Sequence, residues 1–236
     1  MGIPNLSPDS LFLRTNLIAD SHPVSHHFPP HLSDLMNFEK LIQIIPKQGG
    51  VFFEAGGNDG IFQSYTYPLE RDRGWTGVLV EPSPQAYAKC TVNRPNSRVF
   101  NCALTDSGVA QITGDFDGNP MSSVHGQRLQ RAAQVTVRAA SLTQIFDAAL
   151  KDKPVDLMSI DVENYELNVL RSLDYSIYRP RHILAEVYTP SFYEVVNYLL
   201  SQDYSLLCNL TNFNKRDNPH WDGSHNDYLF VDRQAG

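Results

Sequence analysis

The chain has 236 residues, 42% hydrophobic and 19% charged, with a formal net charge of −7. This length fits one full α/β domain with a buried core and is short for two. The acidic balance supplies no global field for nucleic acid. Three scattered cysteines (Cys90, Cys102, Cys208) with no CxxC pair argue against a disulfide framework and a thiolate zinc site.

Residues 1–45 read as an N-terminal extension of helix and loop, a candidate lid or assembly segment. Five prolines punctuate its first thirty residues, and His22, His26, His27 and His31 crowd the second half at irregular spacing. That spacing suits a solvated loop better than a metal site. A capped helix is expected from Ser33 to about Ile45, stopping before Pro46. No apolar run approaches the about 20 residues of a membrane span. The N-terminus lacks the basic and apolar regions of a signal peptide, so a cytoplasmic protein is the expectation.

Residues 46–236 alternate. Val51–Glu54 reads as a buried strand, followed by a helix from Ile61 to Glu70 limited by Pro68. Gly77–Glu81 is the second strand and Ser83–Asn93 a helix with Pro84 at its first position. Ser97–Ala103 is the third strand. Residues of about 108–140 break the rhythm, as a β insertion whose strands 109–113 and 134–138 flank a Gly/Asp/Ser-rich loop. A helix (142–150), a strand ending at Asp161, a helix (163–173), a strand (182–187) and a helix (191–202) follow. Strands 204–209 and 227–231 close the chain as expected antiparallel neighbours. The pattern predicts a doubly wound sheet with helices on both faces and ligands at the carboxyl ends of its strands.

The first strand ends in Glu54-Ala55-Gly56-Gly57-Asn58-Asp59-Gly60. Glycines at such a turn let the backbone bend sharply and approach a ligand closely. The next strand ends in Glu81-Pro82, where a carboxylate can accept both hydroxyl protons of a ribose. This is a nucleoside-binding pair. A dinucleotide site would want G-x-G-x-x-G with its pyrophosphate on the helix N-terminus. Here Glu54 stands beside the turn, a charge that suits an ammonium or sulfonium better than a pyrophosphate. The reading therefore favours S-adenosylmethionine. A nicotinamide-dependent oxidoreductase on a similar sheet and a non-catalytic nucleoside-binding module stay open.

A second constellation is Ser159-Ile160-Asp161-Val162-Glu163-Asn164-Tyr165-Glu166, with Asp161 at a strand end in the same crevice. Glu163 and Glu166 fit a catalytic role and simple charge placement in a helix's first turn about equally. Glu186 ends the neighbouring strand. Asp161, Glu186 and Glu163 are the catalytic candidates, and Asp161 with Glu186 is a candidate site for magnesium or manganese. His182 is expected deeper in the sheet. Met121-Ser122-Ser123 and His125 lie in the insertion, with Ser123 a candidate cofactor contact.

At these residues the sequence resembles the FkbM family of S-adenosylmethionine-dependent methyltransferases. The matching pieces are Phe53–Gly60, Val80–Pro84, Asn101–Asp106, Ser159–Glu166 with Val169-Leu170, and Ile183–Glu186, along about residues 50–190. The resemblance implies the class I methyltransferase fold, Rossmann-like, with a seven-stranded, mostly parallel sheet and an antiparallel last strand. It also implies O-methylation of a sugar or other small hydroxylated metabolite. With the motifs above, the candidate cofactor contacts are Glu54, Ala55, Gly56, Gly57, Asn58, Gly60, Glu81, Pro82, Ala103, Ser123 and Asp161. Glu54 replaces the family's usual Asp, and Asn164 replaces a usual Gly, whose left-handed backbone Asn tolerates. No nucleic acid or membrane partner is expected; an oligomer is open.

Overall fold

The computed structural model describes residues 32–116, 134–216 and 222–235. Ser123, Met121, Ser122, His125 and the four N-terminal histidines lie outside the described residues. Strand β1 (Val51–Ala55) forms because every residue after Val51 is buried between two helical layers. Its neighbours are β2 (Thr76–Val80) on one side and β7 (Leu157–Ile160) on the other, both parallel. The chain reaches β2 through α2 (Thr66–Arg73) and β3 (Arg98–Phe100) through α3 (Pro84–Asn93). It then crosses back to β7 and continues to β8 (His182–Tyr188) by way of α5 (Glu166–Arg171), ending in β9 (Tyr204–Asn209) and β10 (His225–Asp232).

The sheet order is β3-β2-β1-β7-β8-β10-β9, with β10 antiparallel to both its neighbours. The order reverses between β1 and β7, so the crevice of the fold opens at their carboxyl ends. This is the class I methyltransferase arrangement anticipated from the motifs.

Alternation along the strands builds two cores. Phe53, Val80, Met158, Ile160 and Ile183 face α4 (Leu142–Ala149), α5 and α6 (Phe192–Ser201). Phe52, Leu79, Leu157, Leu184 and Leu229 face the other way, against Leu41 and Ile45 at the end of α1 (Leu32–Ile44), Leu69 of α2 and Cys90 of α3. Phe52 and Phe53 are fully buried on opposite faces, each contributing about 2–3 kcal/mol of apolar transfer.

A second, three-stranded sheet follows β3 in the chain. It has the order β4-β6-β5, from β4 (Ala103–Leu104), β6 (Val135–Ala140) and β5 (Gln111–Gly114). Its own small core is Ala103, Phe116 and Val137.

Three expected elements are altered. The strand expected over 97–103 is divided between the two sheets. Asn101 turns its side-chain amide onto the carbonyls of Glu81 and Pro82, at 2.8 and 2.9 Å, and this ties down the junction. The helix expected from Ile61 begins only at Thr66. The Asp59 carboxylate accepts the amides of Ile61 and Phe62, and Gln63 has φ +56°, so 61–65 are turns. Pro68, which has no N–H to donate, then falls in the first helical turn. The helix expected from Glu163 starts at Glu166, because Glu163 and Asn164 both have positive φ, +56° and +70°.

Candidate functional site

The turn after β1 is shaped by contacts that leave no room for side chains. Gly56 has φ +82°, and its amide, like that of Gly57, donates to the carbonyl of Val80 on β2. A Cβ on Gly56 would lie 1.8 Å from the carbonyl oxygen of Asp161. Gly60 has φ +84°, and a Cβ there would meet Arg94 Cγ at 2.7 Å. Asn58 lies between them at φ +44° and donates its amide to Glu81 Oε2 at 2.8 Å. Ala55 is buried, and its carbonyl accepts the amide of Asp161. The turn is thus clamped between the tips of β2 and β7.

Glu81 is the buried hinge of this arrangement. Its other oxygen accepts the Ser83 amide at 2.8 Å, and Ser83 caps α3. Burial pushes the Glu81 carboxyl up to about 7, while the amides of Ser83 and Asn58 pull it down. Each carboxylate oxygen accepts one backbone amide, so lone pairs are left for further donors. Pro82 is half-buried beside it, and Ala103 is buried at the β3–β4 junction.

Glu54 does not behave as its position suggested. Its carboxylate turns into the second core, where Ser64 and Thr66 donate to it and Arg94 stands 3.5 Å away. Arg94 is fully buried and also binds Glu70 at 2.7 Å and the Gly60 carbonyl at 3.0 Å. Burial raises the Glu54 carboxyl, with Arg94, Thr66 and Ser64 opposing. The electrostatic argument against a pyrophosphate is therefore not carried by Glu54, whose charge is screened inside the fold. Strand parity decides this: Glu54 shares its face with Phe52, away from Phe53 and Ala55. Arg94 was not singled out from the sequence, because nothing local marks an Arg at a helix end as the partner of a glutamate forty residues earlier.

The other side of the crevice is acidic. One oxygen each from Asp161, Glu166 and Glu186 lie within 4.8 Å of one another. Glu166 is buried, and its Oε1 accepts the amides of Val162 and Asn164, fixing the left-handed turn. Burial raises it to about 7. Glu163 accepts the Tyr188 hydroxyl at 2.6 Å. Glu186 Oε1 stands 3.2 Å from His225 Nε2, whereas its Oε2 is buried with no hydrogen-bond partner among the described residues. Asp227, opposite Glu186 in the β8–β10 register, accepts the Tyr65 hydroxyl at 2.7 Å.

Solvent reaches Asp161 from the crevice, yet burial by the protein on its other sides and repulsion from Glu163, Glu166 and Asp227 hold its carboxyl well above the usual range. Glu186 is raised too, by burial first and then by Asp161, Asp227, Glu163 and Glu166. At neutral pH this cluster carries fewer charges than carboxyls and retains protons that it can exchange. His182 is buried at the far end of β8 against the Asp156 carbonyl, remote from the crevice chemistry. Asp227, His225 and Tyr188 were missed in the sequence, since only the antiparallel register of β10 brings the first two beside Glu186.

Comparison with known proteins gives a family and a set of distant folds. The model of the FkbM methyltransferase domain matches residues 54–206. No curated protein sequence matches the chain. Among solved structures, it is similar to a TehB-like SAM-dependent methyltransferase from Corynebacterium glutamicum, at 10% identity and TM-score 0.47, covering 84% of this chain and 89% of that one. A SAM-dependent methyltransferase from Geobacter sulfurreducens, solved with S-adenosyl-L-homocysteine, matches at 8% identity and TM-score 0.46, over 84% and 90% of the two chains. The human methyltransferase 10 domain containing protein matches at 12% identity and TM-score 0.45, over 90% and 88%. Such identities carry no substrate across. Among the described residues no helix is long and apolar enough to cross a membrane.

Proposed function

The chain belongs to the FkbM methyltransferase family, and from that premise we propose that it is an S-adenosylmethionine-dependent enzyme that methylates a hydroxyl of a sugar or other small metabolite. Family membership selects methyl transfer over the nicotinamide reading. The observation that carries the cofactor placement is Glu81: a buried carboxylate with spare lone pairs, bonded to the glycine turn through Asn58. In this reading Glu81 accepts the ribose hydroxyls, and the backbone of Gly56, Gly57, Asn58 and Gly60 approaches the methionine tail. Pro82 and Ala103 line the base side.

When bound, S-adenosylmethionine supplies a methyl group already activated on a sulfonium. The protein's part is then mostly orientation of the acceptor. Asp161 and Glu186 hold the acceptor hydroxyl at the tips of β7 and β8, and the ionised member of that carboxyl pair receives its proton. Glu163, oriented by Tyr188, narrows the entrance. The extension at residues 1–45 is assigned to acceptor choice.

Calorimetry with S-adenosylmethionine tests the cofactor assignment. A Glu81→Ala variant should lose about tenfold or more in affinity, and unchanged binding would remove Glu81 from the ribose. A second reading rests on the three clustered oxygens: Asp161, Glu166 and Glu186 form the hard oxygen set a magnesium or manganese ion prefers. They would hold such an ion beside the acceptor and lower the pKa of its hydroxyl. Activity indifferent to EDTA and to added magnesium or manganese eliminates this reading.

A further inference from the structure

The far edge of the large sheet is apolar and exposed. β9 closes the sheet and pairs only with β10, and α6 packs beside it. Leu206 and Leu207 are 37% and 47% exposed on β9, Leu200 near the end of α6 is 45% exposed, and Tyr193 near its start is 75% exposed. The register of β9 against β10 shifts between Leu229 and Phe230, which leaves Leu207 opposite no residue of β10. This bulge is why two consecutive strand residues both reach solvent.

The helix places its share on one stripe. Tyr193, Val196 and Leu200 follow the i, i+3, i+7 spacing of a single helix face. Val195 and Leu199 enter the core, and Tyr198 turns the opposite way, toward the Leu170 carbonyl of α5. The stripe therefore faces away from α5, toward β9. There Leu206 continues it, opposite Phe230 of the same core. Neither the stripe nor β9 from Tyr204 to Asn209 contains a charged residue, although natural sheets commonly guard an apolar edge with charge or proline. Other exposed large apolar side chains, such as Val92 of α3 and Ile177 ahead of β8, stand on separate elements. Single exposures of that kind call for no partner.

We infer that this face of α6 and β9 is the twofold interface of a homodimer. At about 150–200 Å² for a large side chain, the four exposed residues offer about 300–400 Å² of apolar area per copy. That is close to half of the about 800 Å² each partner gives to a standard interface, before adjoining polar residues and the outer strand edge are added. Charge selects the occupant. The chain carries −7, so two copies repel over most of their surface and meet best where neither is charged. An uncharged strip is also self-complementary, as the isologous contact of a twofold dimer requires. The bulge interrupts the strand edge, so side chains make the contact rather than a continuous ladder between two sheets. β9 lies three strands beyond β7, so the dimer leaves the crevice between β1 and β7 open.

Sedimentation velocity of the full chain tests this, independently of the cofactor and acceptor assignments. The wild type should sediment at twice the chain mass at about 100 µM and dissociate on dilution with a single dissociation constant. Leu200→Glu and Leu206→Glu each enter the interface twice, and each should weaken association at least about a hundredfold. Their circular dichroism should match the wild type, because both positions are exposed in the single chain. Should a glutamate disturb the fold, Leu200→Ser and Leu206→Ser take its place, with an expected loss of about tenfold. Val92→Glu and Ile177→Glu add the same charge elsewhere and should leave the dissociation constant within about threefold. Raising salt from about 0.05 to about 0.5 M should preserve or tighten the dimer, since screening weakens repulsion between two acidic chains. A wild type that stays monomeric at about 100 µM overturns the inference without any variant. A dimer that survives the folded Leu200 and Leu206 variants overturns it too, as does one that Val92→Glu dissociates equally or that high salt dissociates.

Discussion

Replacing Gly56 by alanine puts a methyl carbon where the carbonyl oxygen of Asp161 already stands, 1.8 Å from an ideal Cβ. Non-bonded carbon and oxygen approach to about 3.3 Å, so the tips of β1 and β7 must part by about 1.5 Å. That separation strains the Asp161 to Ala55 amide bond and the bonds from Gly56 and Gly57 to Val80, each worth about 0.5–1.5 kcal/mol. The φ of +82° adds about 1–2 kcal/mol for any residue with a Cβ. The expected loss is about 3–5 kcal/mol, in the range reserved for specific steric failures. Urea denaturation followed by circular dichroism measures it, with Gly57→Ala as control. A Cβ on Gly57 meets the end of the Leu79 side chain at 3.2 Å, which can move, so that variant should lose under about 1.5 kcal/mol. Equal midpoints for the two variants would refute the reasoning. If Gly56→Ala retains enough fold to be assayed, its affinity for S-adenosylhomocysteine should fall with its stability.

Arg94→Met should cost about 3–5 kcal/mol, since it leaves Glu54 and Glu70 buried without their cation; adding Glu54→Gln should recover part of that loss, and strictly additive denaturation energies would contradict the shared network. Glu81 and Glu166 sit at about 7 against an ordinary 4.5. A raised acid stabilises the fold fully below its unfolded value, and that contribution is lost as pH rises through 7. Wild-type stability measured relative to Glu81→Gln or Glu166→Gln should therefore fall between pH 4.5 and 7.5, and a difference independent of pH would count against both shifts. Glu186→Gln should lower kcat by about tenfold or more while leaving S-adenosylhomocysteine affinity unchanged; a parallel loss of cofactor affinity would move Glu186 out of the acceptor side.

Local chemistry made much of this protein readable before folding. Apolar runs ending in Gly56-Gly57 and in Glu81-Pro82 encode a parallel strand followed by a turn, because a strand buried on both faces admits little polarity and a sharp turn needs glycine. Ser83-Pro84 marks a helix start for equally local reasons, and Asn164 takes the left-handed backbone that its short side chain tolerates. These features depend on a few consecutive residues, so the linear order contains them. Side-chain direction and partnership over long separations are different. Whether Glu54 faced the crevice or the core depended on which face of β1 met Arg94. His225 and Asp227 became neighbours of Glu186 only through the antiparallel register of β10. The burial of Asp115 exists only once the small sheet has folded. The motifs determined the fold and the strand-end turns on which the proposed cofactor site is built, since those follow from backbone geometry. Which carboxylates are paired, which share protons and which stand empty-handed was decided by the tertiary structure, because charge inside a protein is set by what packs around it.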